Sequence, residues 1–193
     1  MTYQPKILAF AGALRKDSTN KKTVLAAVAG ARAAGADVTV VDLRSFPVPL
    51  YDGDLETAEG LPENAIKLQE LMLAHDGFLI SSPEYNSSIS GTLKTYIDWT
   101  SRARGDLKAG GCYGGKAAAI MSASPGALGG IRGLPTLRSI LGTMGVHVLP
   151  EDFCLGRSHE AFDDQGQPKD EFVRGKLEGL GQNLTDFLRK LKA

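Results

Sequence analysis

The 193-residue chain carries 22 basic and 22 acidic side chains, so its formal charge is zero, and its 42% hydrophobic and 23% charged content is that of an ordinary folded domain. That balance excludes a broad electrostatic attraction to nucleic acid or to an anionic membrane, and no apolar run approaches membrane-spanning length. The two cysteines, Cys112 and Cys154, stand far apart and form neither a CxxC pair nor a disulfide framework, so both are expected as free thiols of a cytoplasmic protein.

Met1 to Lys6 leads directly into Ile7-Leu8-Ala9-Phe10-Ala11, an apolar run of strand length. No charged segment, apolar core and cleavage site precede it, and no signal peptide is expected. A loop follows, Gly12-Ala13-Leu14-Arg15-Lys16-Asp17-Ser18-Thr19-Asn20. A helix then begins, with Val24, Leu25, Val28 and Ala31 on its apolar side and Gly35 closing it. Ser18 or Thr19 is placed to cap this helix. The same residues also suit an anion site, because a helix start offers free N–H groups and Arg15 adds a cation. The loop lacks G-x-x-x-x-G-K-[ST], so it is not an NTPase P-loop, and it lacks G-x-G-x-x-G, which counts against a dinucleotide clamp here.

Val38 to Val41 is β-branched and reads as the second strand. Arg44 to Leu61 is a long connection with two prolines, Pro47 and Pro49, and with Asp52, Asp54, Glu56 and Glu59. It is expected either as a lid or as a solvated acidic loop, with Tyr51 turned to the site or to a partner. Pro62-Glu63 opens a helix carrying Ala65, Leu68, Leu71 and Met72, and His75 ends it.

Gly77 to Ser81 reads as a buried strand. The loop after it is Ser82-Pro83-Glu84-Tyr85-Asn86-Ser87-Ser88-Ile89-Ser90, and Leu93, Tyr96, Ile97 and Thr100 then share one helix face. An aromatic, an amide and a carboxylate in one loop at the carboxyl end of a strand suggest a planar ligand with a polar edge. The helix fades at Arg102 to Gly105, and Asp106 to Gly115 is expected as a mobile Gly-rich loop. Ala117 to Met121 is the fourth strand, followed by the Ser- and Gly-rich loop Ser122 to Gly130. A helix with Leu137, Ile140, Leu141 and Met144 has Pro135 in its first turn, where proline is tolerated. Val146 to Leu149 is the fifth strand, with His147 pointing to a sheet face. His159-Glu160 reads as a surface pair, and three scattered histidines lack metal-ligand spacing. Val173, Leu177, Leu180, Leu184, Phe187, Leu188 and Leu191 form the stripe of an amphipathic final helix. The strict strand–helix alternation implies a parallel sheet covered on both faces.

Pro83-Glu84-Tyr85-Asn86, with Ser88, Gly91, Leu93-Lys94 and Ile97-Asp98-Trp99, resembles the signature of the NADPH-dependent FMN reductase family, which includes quinone, chromate and azo-dye reductases. Gly12-Ala13-Leu14-Arg15 with Ser18 and Asn20 is similar to that family's first motif, Gly-Ser-Leu-Arg then Ser-x-Asn, except that Ala13 stands where the family has Ser. The likeness extends to Ala161-Phe162-Asp163. It implies one flavodoxin-like α/β domain over residues 1–193, three layers deep (α/β/α), with a five-stranded parallel sheet in the order 2-1-3-4-5. It implies FMN as cofactor and NAD(P)H as co-substrate. Leu14, Arg15, Ser18 and Asn20 would hold the phosphate. Pro83, Glu84, Tyr85 and Asn86 would lie along the ring, with Ser122, Ser124 and Gly126 on its other side. No catalytic side chain is implied. The implied activity is ping-pong: NAD(P)H gives a hydride to flavin N5 and leaves, and a quinone, azo compound, metal oxyanion or free flavin takes the electrons. A homodimer or homotetramer is implied as well. Three rival readings are an electron carrier of the flavodoxin type, a two-component reductase feeding a monooxygenase, and a regulator that has lost flavin. The neutral charge and the absence of Thr-x-Thr-Gly in the first loop count against the carrier. The intact Tyr85 loop counts against the regulator.

Overall fold

The computed structural model describes residues 3–192; Met1, Thr2 and Ala193, at the edges of the expected 1–193 domain, lie outside it. In chain order the elements are β1 (Lys6–Ala11), α1 (Thr19–Ala33), β2 (Asp37–Val41), a 3-10 turn (Leu43–Ser45), α2 (Gly53–Glu59), α3 (Glu63–Leu73), β3 (Gly77–Ser81), β4 (Glu84–Tyr85), β5 (Ser88–Ile89), α4 (Gly91–Thr100), β6 (Ala117–Ala123), α5 (Gly133–Thr143), β7 (His147–Leu155) and α6 (Glu171–Leu191). The main sheet runs β2-β1-β3-β6-β7 with every neighbouring pair parallel. This is a flavodoxin-like sheet, and with the separate β4–β5 hairpin set aside its order is the expected 2-1-3-4-5. No described helix is long and apolar enough to cross a membrane.

The central strands β3 and β6 are buried at every position, as parallel strands with helices on both faces must be. Residue alternation sorts the core into two layers. Ile7, Ala9, Leu79, Ala117, Ala119 and Met121 meet Val24, Ala27, Val28 and Ala31 of α1 and Leu177, Leu180, Leu184 and Leu188 of α6. Leu8, Phe78, Ile80, Ala118 and Ile120 meet α3, α4 and α5 through Leu68, Met72, Leu93, Ile97, Leu134, Leu137 and Leu141. Two glycines bring α1 and α6 together: a Cβ on Gly30 would lie 2.0 Å from the Glu178 carbonyl oxygen, and one on Gly181 would lie 1.9 Å from that of Ala27.

Three segments depart from the sequence expectations. The connection after β2 is pinned to α4: the Tyr96 hydroxyl donates to the carbonyls of Leu43 and Phe46 at 2.7 and 2.8 Å, and the Trp99 indole donates to that of Pro49 at 2.8 Å. Its second half forms α2, capped by Asp52, which buries no residue. Tyr51 turns to Trp99, Glu56 and Arg102 and not to a ligand cavity. The Asp106–Gly115 segment, expected as mobile, is anchored by Cys112 and Tyr113, both in the core. β7 continues beyond the expected Val146–Leu149 to Leu155, because a register irregularity absorbs Pro150 on this edge strand.

Candidate functional site

β1, β3 and β6 end side by side at Ala11, Ser81 and Ala123. Between β1 and β3 the chain order of the strands reverses, and the loops leaving their carboxyl ends splay apart into a crevice. The crevice holds a cavity of about 570 Å³, a size usual for small-molecule sites. Gly12, Ala13, Arg15, Ser18, Thr19 and Asn20 line one end. Pro83, Glu84, Tyr85, Ser90, Gly91 and Thr92 line a second wall, and Ala123, Ser124 and Pro125 a third.

The first end is built for an anion. Lys21 and Lys22 donate their N–H groups to the Ser18 carbonyl, while Thr19 and Asn20 open the helix and have no acceptor one turn back. These amides and the positive end of the helix dipole face the cavity beside Arg15. Ser18 is buried and its side chain makes no capping bond, so the cap is a backbone one. Asn20 departs from the expected phosphate ligand. Its Nδ2 donates to the Ala123 carbonyl at 2.8 Å, and its Oδ1 accepts from the Ser81 hydroxyl at 2.8 Å and from the Ala123 N–H at 3.0 Å. The side chain therefore staples α1 to the ends of β3 and β6 and leaves the cavity the Asn20 backbone amide. Leu14 is exposed beyond this cavity, in a neighbouring apolar groove.

The second wall is the β4–β5 hairpin. Asn86 and Ser87, both at positive φ (51° and 64°), make its two-residue turn. Asn86 is thus a turn residue outside the cavity lining. Tyr85 stands 64% exposed at the mouth. The Glu84 carboxylate is turned away from a ligand role: it accepts from the Arg132 N–H at 2.8 Å and the Gly133 N–H at 3.2 Å, and pairs with the Arg132 guanidinium at 2.6 Å. Burial alone would raise its pKa, but the Arg132 charge and these hydrogen bonds outweigh that and hold it below the ordinary carboxylate range. Glu84 so caps α5 and locks the hairpin to it. Ser90, which sequence reasoning passed over, does the same on the other side: its hydroxyl donates to the Gly12 carbonyl at 2.7 Å and accepts from the Leu93 N–H at 3.0 Å. Its place one residue before an apolar-periodic helix was the available signal.

On the third wall Ser124 and Pro125 reach the cavity, and the Ser124 hydroxyl accepts from the Gly126 N–H at 3.2 Å. Gly126 lies just outside. Ser122 is fully buried and its hydroxyl has no partner among the described residues. It sits under Gly130, whose φ of 92° and lack of a side chain permit the approach; a Cβ there would stand 1.9 Å from the Ser122 oxygen. Ser122 is therefore roofed over and does not face the cavity. Its register partner Cys154 has its thiol pushed up to about 11 by burial, with Asp152 and Glu84 adding to the effect. The Cys112 thiol is likewise raised to about 11 by burial. Neither cysteine forms a thiolate near neutral pH.

The cavity thus joins the start of α1, with its free amides and Arg15, to a slot between two loops. Glu84 is the carboxylate on its walls, and it is neutralised by Arg132. Such an arrangement has the shape and donors to hold a phosphorylated planar molecule.

A model of the family described as NADPH-dependent FMN reductase matches residues 5–160. An NAD(P)H-dependent FMN reductase of Pseudomonas aeruginosa is 33% identical over 188 residues, 97% of each chain. A quinone reductase of Escherichia coli (strain K12) is 32% identical over 195 residues, covering both chains in full. Among solved structures, a flavoenzyme NAD(P)H:(acceptor) oxidoreductase from Paracoccus denitrificans superposes with a TM-score of 0.78 at 27% identity, over 96% of this chain and 98% of that one.

Proposed function

The chain belongs to the NADPH-dependent FMN reductase family, a family of oxidoreductases that use FMN with NAD(P)H as co-substrate, and from that premise we propose that the cavity at the β1/β3 switch point is its flavin site. The observation that carries the assignment is the pairing of a phosphate-ready helix start with a slot between the hairpin and the β6–α5 loop. The Thr19 and Asn20 amides, Ser18 and Arg15 would hold the phosphate. Pro83, Glu84 and Tyr85 would offer backbone groups and one aromatic side chain to the ring, opposite Ser124 and Pro125. Bound FMN supplies the hydride and electron-transfer chemistry. The protein's own part is to fix the ring and leave one side open. The Ser90–Gly12 and Glu84–Arg132 contacts hold the two loops in place, and the exposed Tyr85 leaves room at the mouth. NAD(P)H and the acceptor would enter that mouth in turn, giving ping-pong kinetics. Quinones, azo compounds, metal oxyanions or free flavin are the proposed acceptors, since an open mouth without a shaped acceptor pocket admits many.

We also infer a homodimer or homotetramer. An apolar groove of about 510 Å³ adjoins the site, lined by Leu14, Pro47, Val48, Leu50 and Tyr96, and Leu50 is 79% exposed in the single chain, which supports association there. The deciding experiment is the visible absorption spectrum of the purified protein before and after anaerobic NADPH. Flavin bands that bleach, with parallel double-reciprocal plots when a quinone is varied against NADPH, are expected. A colourless protein that takes up no added FMN would sink the assignment.

A further inference from the structure

One residue next to the cavity walls, outside the lining itself, has no part in the site just described. Arg157 follows β7 and adopts φ 48°, in the left-handed region that glycine and asparagine enter readily and arginine rarely. Its backbone is held there on both sides. The Arg157 N–H donates to the Gly126 carbonyl at 3.3 Å, and the Ser158 N–H to that of Ser124 at 3.1 Å. The buried Ser158 hydroxyl donates to the Thr19 hydroxyl at 3.0 Å. Ser124 and Thr19 both line the cavity, so the turn at Arg157 is tied directly to two of its walls. The Arg157 side chain is exposed, and its guanidinium makes no hydrogen bond or ion pair with any described residue. Arg15, which lines the cavity, is also exposed and makes no hydrogen bond or ion pair with any described residue, while Glu84 is already neutralised. A strained turn that carries an unengaged guanidinium beside an anion-binding end is accounted for if the guanidinium has an anionic ligand.

We propose that Arg157 recognises a phosphate monoester on one of the nucleotides that use this cavity, an inference that rests on the flavin-site reading above. A guanidinium grips such a dianion with two parallel charge-assisted hydrogen bonds, a geometry an ammonium does not reproduce. Two sources carry that group: the 5′-phosphate of FMN and the 2′-phosphate of NADPH. In the second case Arg157 sets the preference for NADPH over NADH.

The test compares wild type with Arg157→Gly and Arg157→Lys. Glycine suits the left-handed turn, so the first variant should melt at or above wild type while lacking the charge. Four quantities are measured for each protein: KM for NADPH and for NADH at saturating benzoquinone, and Kd for FMN and for riboflavin on the flavin-free protein. If the 2′-phosphate is the ligand, Arg157→Gly raises the NADPH KM by about tenfold or more, with kcat, the NADH KM and flavin binding unchanged. If the 5′-phosphate is the ligand, FMN binding weakens by a similar factor and riboflavin binding does not. Arg157→Lys should recover part of either loss. The proposal is overturned if neither phosphorylated ligand loses ground to its unphosphorylated counterpart. Failure of the underlying reading shows in wild type alone, as a protein that binds neither flavin.

Discussion

Replacing Asn20 by alanine separates a structural staple from a phosphate ligand. Three buried hydrogen bonds involve this side chain, two accepted from the Ser81 hydroxyl and the Ala123 N–H and one donated to the Ala123 carbonyl. A buried polar group left unpaired costs about 1–3 kcal/mol. The Ser81 hydroxyl can rotate to another acceptor, so the loss rests on the Ala123 N–H and C=O, together about 2–4 kcal/mol after allowing for a water in the vacated space. In a protein of this size each kcal/mol moves the melting midpoint by about 2–4 °C, so Asn20→Ala should melt roughly 5–15 °C lower. The assay is thermal unfolding of the flavin-free protein, which removes any ligand contribution to stability. Flavin titration then supplies the contrast: FMN and riboflavin affinities should fall together, because the helix start shifts as a whole. A flavin-free variant that melts with wild type but binds FMN selectively worse than riboflavin would refute the reasoning and restore the side chain as a phosphate ligand.

Further consequences concern the loops and the helix pair. Because the folded Glu84 carboxyl titrates below its unfolded value, its stabilisation is complete above the unfolded pKa of about 4.3 and is lost as pH falls through the lower folded value. Glu84→Gln should therefore be less stable than wild type at neutral pH and show a shallower loss below about pH 4; parallel melting curves against pH would count against the Arg132 latch. Ser122→Ala removes an orphaned buried hydroxyl and should leave flavin affinity unchanged while keeping or raising stability by about 1 kcal/mol, whereas a clear fall in FMN affinity would show that the hydroxyl reaches the ligand. Gly130→Ala combines a Cβ clash with a left-handed backbone and should cost more than about 2 kcal/mol in urea unfolding. Gly181→Ala forces α1 and α6 apart and should cost about 3 kcal/mol or more; a wild-type urea midpoint would mean that the helices re-seat without loss.

What the residues disclosed beforehand followed a physical divide. The central strands were legible because buried parallel strands are unbroken apolar runs, the far half of the exposed edge strand β7 was not, and the crevice was legible because the loops at Arg15 and Tyr85 follow strands that flank the switch point. α2 was not, since a helix that buries nothing has no apolar period to detect. The β4–β5 hairpin escaped because two residues per strand cannot display alternation, although Asn86 at its turn is a recognised left-handed residue. The roles of Asn20, Glu84 and Ser122 were hidden for another reason. Residue type and spacing locate a side chain near a site, but whether its polar atoms face the ligand or the protein depends on partners such as Ala123, Arg132 and Gly130, which lie 103, 48 and 8 residues away.

The glycine contact between α1 and α6 also bears on how the chain is made. α1 emerges from the ribosome early, and it carries the amides assigned to the phosphate. The surface that backs it, from Leu177 to Leu188, emerges after every strand of the sheet. Until then the Asn20 staple already ties the helix start to β3 and β6, but the inner face of α1 lies open where α6 will cover it. Lasting cofactor retention should accordingly come at the close of synthesis, and a chain arrested before α6 should hold flavin more weakly than the full chain.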